Sequence, residues 1–155
     1  MANQDAKDRV VATNRKAYHD YFIDEVVEAG VVLTGTEIKS VRAGRLSLRD
    51  SYAKVEDDEM WLHNTHISIY EQGNRFNHDP DRPRKLLLHR AQIRQLSRKV
   101  LEKGFTLIPL RVYLKEGLAK VELALARGRR SYDKREAVAE READREIQRE
   151  LARRE

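Results

Sequence analysis

His63-Asn-Thr-His66 carries two imidazoles at a spacing used for metal ligands, and the spacing itself argues against a metal. In a continuous strand residues three apart face opposite ways, so the two rings cannot share an ion. His78, Asp79 and Asp81, with Glu71, form a loop cluster with hydrolytic potential, of the kind a metal-dependent nuclease uses. The competing reading is that Asn77-His-Asp-Pro80 is strong turn chemistry, in which such side chains only hold the loop. The chain has no cysteine, which removes thiolate catalysis and cysteine zinc sites. It also has no glycine-rich phosphate cradle. No metal, no cofactor and no catalytic residue is therefore expected. Binding chemistry is better supplied. Asn14, Arg15, Lys16 and His19 lie together with Tyr18, a mixture able to grip phosphates and to stack on or bond to bases. A solvated strand edge is the alternative reading of the same stretch. Arg42 and Arg45, beside Gly44, are either further contacts of this kind or ordinary surface charge. The common direction of these signals is toward RNA on a β surface.

The elements that must position these residues are mostly short strands. Val10 to Ala12 begin one strand, Arg15-Lys16 follow as an exposed turn, and Tyr18 to Ala29 read as a strand covered in part on both sides. Val31 to Leu33 read as a short buried strand set off by Gly30. A helix follows at once: Thr34 and Glu37 have the spacing of a capping box, Ile38 and Val41 give an apolar edge, and Gly44 suits a left-handed cap. This helix is expected to plug a β domain. Ser51 to Glu56 and Glu59 to Ile69 form a hairpin about Asp57-Asp58, with Trp61, His63, Thr65, Ile67 and Ile69 on one face. Residues 71–84 read as a long loop with Phe76 as its apolar anchor and a basic exit at Arg82, Arg84 and Lys85. Leu86 and Leu87 read as core. A second helix runs from about His89 to Lys103 and ends at Gly104. Phe105 to Leu114 and Leu118 to Ala126 are hairpin arms around Lys115-Glu116-Gly117, with Pro109 marking an edge or a bulge and Lys120 exposed.

About five to seven short strands with two or three short helices are expected to close into a small oligonucleotide-binding-type antiparallel barrel over residues 1–128, mainly β in class. Residues 129–155 form a tail of different character, rich in Arg and Glu, with Ala139, Ala143, Ile147 and Leu151 recurring every fourth residue. Glu142 with Arg145, Glu146 with Arg149 and Glu150 with Arg153 are pairs worth about 0.2–0.5 kcal/mol each. The tail is expected to be loosely helical or disordered when free and an amphipathic helix when docked.

Charge permits a polyanionic partner without requiring one: 31 Lys and Arg stand against 26 Asp and Glu, a net +5. The polar start, Met-Ala-Asn-Gln-Asp, lacks a signal-peptide core, and no run approaches the roughly 20 apolar residues of a membrane span. A soluble, cytoplasmic, monomeric protein with no membrane contact is expected.

Glu28-Ala-Gly30, Gly35-Thr-Glu-Ile-Lys-Ser-Val-Arg-Ala-Gly44, Asp50-Ser-Tyr-Ala53, Asn14-Arg-Lys-Ala17, Asn74 to Pro80 and Arg84 to His89 together resemble the small protein B family of bacterial SsrA-binding proteins. Gly128-Arg129-Arg130 with Tyr132 and Asp133-Lys134-Arg135 resembles that family's tail motif, so the likeness covers nearly the whole chain. It implies the same barrel fold and a non-enzymatic adaptor that grips the tRNA-like domain of transfer-messenger RNA through Asn14, Arg15, Lys16, His19, Glu28, Leu87 and Lys120. Glu28 would accept bonds from base or ribose donors, and Leu87 would face an unstacked base. The family's complex enters a 70S ribosome stalled on a message without a stop codon. The tail, from Gly128 through Ile147, is then implied to occupy the decoding centre and the empty mRNA channel of the small subunit, with Tyr132 stacking on a base. Arg129 and Arg130 stand where the family commonly has lysines, and Tyr132 where some members have histidine, so charge and a flat ring are kept. A general translation factor of the same fold would lack the motif at 128–135.

Overall fold

Alternation of apolar residues in 105–126 becomes the long hairpin on which the fold is built. The structure, a computed structural model, describes residues 8–153, with backbone alone at 73–75 and 130–140. In chain order it contains β1 (Arg9–Thr13), α1 (Arg15–Asp20), β2 (Tyr21–Val31), α2 (Gly35–Arg42), β3 (Leu46–Ser47), β4 (Tyr52–Glu56) and β5 (Glu59–His63). There follow β6 (His66–Ile67), a 3-10 turn (Glu71–Phe76), β7 (Arg84–Leu87), α3 (Arg90–Lys103), β8 (Thr106–Lys115), β9 (Leu118–Gly128) and α4 (Arg129–Arg153). The large sheet has the order β1-β8-β4-β5-β7-β2-β9, and β8 also pairs with β9. The run from β8 to β9 thus closes into an antiparallel ring, with β1 paired outside it on β8. The mainly β, ring-closed class is the one expected; β3 and β6 form a separate two-stranded pair.

Inward residues of the ring form one core. Val121, Leu123 and Leu125 of β9 meet Leu107 and Val112 of β8, Met60 and Leu62 of β5, Leu86 of β7 and Ala29 of β2. Helices α2 and α3 add Val41, Ile93 and Leu96. The capping box at Thr34 forms as expected: Thr34 N–H donates to Glu37 Oε1 at 2.8 Å, and Glu37 N–H donates to Thr34 Oγ1 at 3.3 Å. Gly44, at φ 73°, turns the chain out of α2.

Several local expectations are corrected. Arg15-Lys16 is the first turn of a helix, and the strand after it starts at Tyr21. Asn14 caps that helix, and this cap was the available signal. Gly30 does not separate two strands, because β2 runs through it to Val31 and Val32 is exposed. A Cβ at Gly30 would lie 3.3 Å from Leu87 Cβ, so the glycine lets β7 approach closely. The hairpin arm after Asp58 is not continuous. Asn64 adopts φ 61°, and the buried set changes from Met60 and Leu62 before it to Thr65 and Ile67 after it. Trp61 and His63 are therefore on the other face from Thr65 and Ile67. At Pro109 the expected bulge is present, and β8 as a whole is an interior strand, with β9 on one side and β1 and β4 on the other, so the proline does not mark a sheet edge.

The loop before β7 is anchored by polar groups. Phe76 is 79% exposed, whereas Arg84 is fully buried. Arg84 Nε donates to Glu37 Oε2 at 2.7 Å, and its other nitrogens donate to the carbonyls of Thr65, Asp79 and Pro80. Arg82 joins from the rim with two bonds to the Glu37 carboxylate. All three residues of the expected basic exit are therefore paired within the fold, Arg82 and Arg84 with Glu37 and Lys85 with Glu59.

Candidate nucleic-acid interface

Outward residues of β7, β2, β9 and β8 line up in rows set by register. Leu87 pairs with Gly30, Gly30 with Lys120, and Lys120 with Tyr113. In the next row Glu28 pairs with Glu122, and Glu122 with Arg111. Beyond it come Val26, Ala124 and Ile108, then Ile23 and Ala126. Helix α1 sits on the far end of this same face: Ala17 is buried against Ile108, Leu110, Ala124 and Ala126, a second small core outside the ring. Ala124 and Ala126 are therefore buried although they point out of the ring. The extra residue of the bulge, Leu110, is spent on this patch.

The register thus brings Glu28, Leu87 and Lys120 together, from three strands, with α1 on the same side. Leu87 is 54% exposed, which corrects its reading as core: Leu86 takes the inward position and Leu87 lies over side-chain-free Gly30. Lys120 is half-buried rather than exposed, flanked by Leu87's row and by Tyr113. Arg15, Lys16, Tyr18 and His19 are exposed on α1. His19 Nδ1 lies 3.0 Å from Asp20 Oδ1, so an acid shares its imidazole. Asn14 is differently placed from its neighbours. Its Oδ1 accepts from Ala17 N–H at 3.2 Å and its Nδ2 donates to the Pro109 carbonyl at 3.0 Å. It ties α1 to the bulge, which makes it the residue that presents Arg15, Lys16 and His19. Asn14→Ala is expected to lose about 1–2 kcal/mol of stability through the missing cap and tether. Hydrogen exchange at the Ala17 amide checks this; unchanged protection would show that α1 is held without Asn14.

Four residues not singled out from the sequence share this face. Arg111 is ion-paired with Glu122 and stacks 5.5 Å from the Tyr113 ring centroid. The Glu122 hydrogen bond holds the Arg111 guanidinium above its usual range. Burial, and then the nearby Glu28 carboxylate, push the Tyr113 phenol upward. Lys115 Nζ lies 3.7 Å from Glu28 Oε2. The signal for them was strand alternation with Lys120, obscured at Arg111 by the bulge, which changes the outward parity.

The hydrolytic cluster is dispersed into structural bonds. His78 Nε2 donates to the Ile67 carbonyl at 2.8 Å and its Nδ1 meets Thr36 Oγ1 at 2.9 Å, so neither nitrogen is free for an ion. Asp79 Oδ1 accepts from Asp81 N–H, Asp81 Oδ1 pairs with His66 Nδ1, and Glu71 lies 3.8 Å from Arg45. His63 stacks on Tyr52 with ring centroids 5.2 Å apart. Among the described residues no three His, Asp or Glu side chains converge as a metal site.

Arg42 and Arg45 are exposed near the end of α2; Arg9 donates to the Arg42 carbonyl. Of the two forms expected of the tail, the structure holds the helical one: α4 continues from β9, and its side chains from 141 to 153, Ile147 included, are exposed. Arg129 stacks 4.0 Å over the Phe22 ring at the junction. Side chains of Arg130, Tyr132, Asp133, Lys134 and Arg135 lie outside the described ones. No helix among the described residues is long and apolar enough to cross a membrane.

A family model described as SmpB protein matches residues 11–153. An SsrA-binding protein of Desulfitobacterium hafniense (strain DSM 10664 / DCB-2) is 61% identical over 149 residues, 96% of this chain and 94% of that one. An SsrA-binding protein of Moorella thermoacetica is 64% identical over 144 residues, covering 92% of this chain and 93% of its own. A solved chain described as "tmRNA-SmpB: a journey to the center of the bacterial ribosome" superposes with TM-score 0.64 at 53% identity, covering 75% of this chain and 82% of that one.

Proposed function

Because the chain belongs to the SmpB protein family, we infer that it is an RNA-binding adaptor that carries transfer-messenger RNA to the ribosome in trans-translation. The observation that carries this reading to particular residues is the shared outward face, on which the register gathers Glu28, Leu87 and Lys120 beside the basic helix α1. Arg15, Lys16 and Lys120 meet phosphates, Leu87 offers an apolar surface to an unstacked base, and Glu28 accepts from base or ribose donors. Asn14 and His19 complete the set, Asn14 chiefly by holding α1 in place. The RNA surface offered is the tRNA-like domain. The chain divides at Gly128: the ring binds RNA, and α4, with Gly128 to Arg135 at its base and Ile147 further out, enters the mRNA channel of a ribosome stalled without a stop codon. The protein works as a single copy in the cytoplasm, without cofactor, and its residues position RNA rather than transform it.

A titration against transfer-messenger RNA and an unrelated structured RNA of equal length tests the reading. At physiological salt a preference of about a thousandfold or more is expected, the low end for specific recognition. Equal affinity would reduce the face to a merely basic surface. Lys120→Ala is expected to weaken binding about tenfold and to lower the slope of log affinity against log salt by about one, as loss of a phosphate contact does. An unchanged slope would remove Lys120 from the phosphate contacts.

A further inference from the structure

Helix α3 has two flanks that its neighbours treat differently. Ile93 and Leu96 enter the core, and on one side of them Lys99 is ion-paired with Glu25 of β2. The other side carries Arg90, Arg94 and Arg98, about one turn apart and all exposed. They line a groove of about 350 Å³ between α3 and the β4–β5 hairpin, with Val55 and Asp58 on its far wall. Asp58 and Glu102 both border this groove. Even so, among the described residues none of the three guanidinium groups has an ion-pair or hydrogen-bond partner.

Local stability does not explain the row. Arg90 is the first residue of the helix and no acid stands in its first turn, so the positive end of the helix dipole meets a cation. Like charges four apart on a helix also repel. Three guanidinium groups held in line without counter-ions suit a partner that brings the negative charge. The rise of the helix sets them about 6 Å apart along its axis, a repeat close to that of successive phosphates in an RNA strand. Each guanidinium is a planar fork that can grip a phosphate through two bonds. Leu101 is the one large apolar side chain exposed on α3, too little for the apolar centre of a protein–protein interface. Around the ring β4 and β5 stand across from β2 and β9, so RNA held on the face of Glu28 and Lys120 leaves the row open to a second RNA. We propose, resting on the adaptor reading above, that Arg90, Arg94 and Arg98 grip the phosphate backbone of a ribosomal RNA strand. The ring then has its own hold on the ribosome, apart from that of the tail.

The test uses the full chain carrying Arg90→Gln, Arg94→Gln and Arg98→Gln. Because the three side chains are exposed and unpaired, this variant is expected to melt no lower than wild type and to keep its affinity for transfer-messenger RNA within about twofold. Its affinity for the ribosome, measured in complex with transfer-messenger RNA, is expected to fall about tenfold or more. The slope of log affinity against log salt should fall by about three, and by about one for Arg94→Gln alone. An unchanged slope would overturn the proposal, as would a large loss of affinity for transfer-messenger RNA, which would set the row against that RNA instead. The chain has no cysteine, so Ala91→Cys, exposed beside Arg90, takes a single photo-crosslinker. Crosslinks to ribosomal RNA are expected. Crosslinks confined to ribosomal protein would overturn the phosphate assignment and make the row a seat for an acidic protein segment. If wild-type protein neither prefers transfer-messenger RNA nor binds the ribosome with it, the adaptor reading itself falls.

Discussion

Glu37→Gln is expected to cost about 3–5 kcal/mol of folding stability, the range found when one member of a buried ion pair is removed. Glutamine at this third helical position can still fill the capping box, so the cap survives and the loss reports charge. Arg84 would then be buried with no counter-ion, holding only the carbonyls of Thr65, Asp79 and Pro80. A loss of this size lowers the melting temperature on the order of 10 °C or more. Urea unfolding at pH 7 measures it, and a loss below about 1 kcal/mol would mean that the three carbonyls suffice for the guanidinium. The pH dependence has a definite sign. Burial alone would raise the Glu37 carboxyl, but bonds from Arg82, the Thr34 amide and Arg84 override it and hold the group below its usual 4.5. A depressed acid contributes stability in full above its unfolded value, and that stability is lost as pH falls through the folded value. Wild-type protein should therefore lose stability below about pH 4.5 more steeply than Glu37→Gln, which has no proton to take up there.

Ending the chain after Gly128 is expected to abolish rescue of stalled ribosomes while leaving affinity for transfer-messenger RNA within about twofold. No described side chain of α4 belongs to either core, and 141 to 153 are exposed, so the ring loses little by the removal. The junction contact it does lose, Arg129 over Phe22, is worth about 0.5–1 kcal/mol at an exposed site. The measurement is paired: RNA affinity by titration, and peptide tagging on ribosomes programmed with a message lacking a stop codon. Tagging that persists would take the tail out of the mechanism. A large fall in RNA affinity would show that the tail shares in holding the RNA and that the division at Gly128 is misplaced. Ile147→Asp in the full chain is the milder version, removing one apolar contact from the exposed face of α4.

Features of short range could be read directly from the residues. Thr34 and Glu37 announce a capping box because both partners lie within one helical turn, and Gly104 announces the end of α3 for the same reason. The hairpin turn at Glu116-Gly117 and the inward set Val121, Leu123 and Leu125 follow from a period of two. The resemblance to the SsrA-binding family was legible in contiguous runs such as Gly35 to Gly44. Errors arose where one residue shifted a period. Asn64 at φ 61° changed the buried parity after β5, and the bulge at Leu110 changed the outward parity of β8, hiding Arg111 and Tyr113. The first shift leaves no mark in the residues, and Pro109 marked the second without saying which side chains it would turn outward.

By itself, then, the sequence determined the class of the protein, its helix ends and hairpin turns, and the family to which it belongs, since each depends on residues close together in the chain. Tertiary structure alone decided which side chains meet. Glu37 finds Arg84 47 positions away, where burial turns a capping residue into the counter-ion of a core. Glu28, Leu87, Lys120 and Tyr113 become one surface only through the pairing of β2 with β7 and β9, and of β9 with β8. Strand register is set by closing the whole ring over its apolar interior, and no local stretch carries that information.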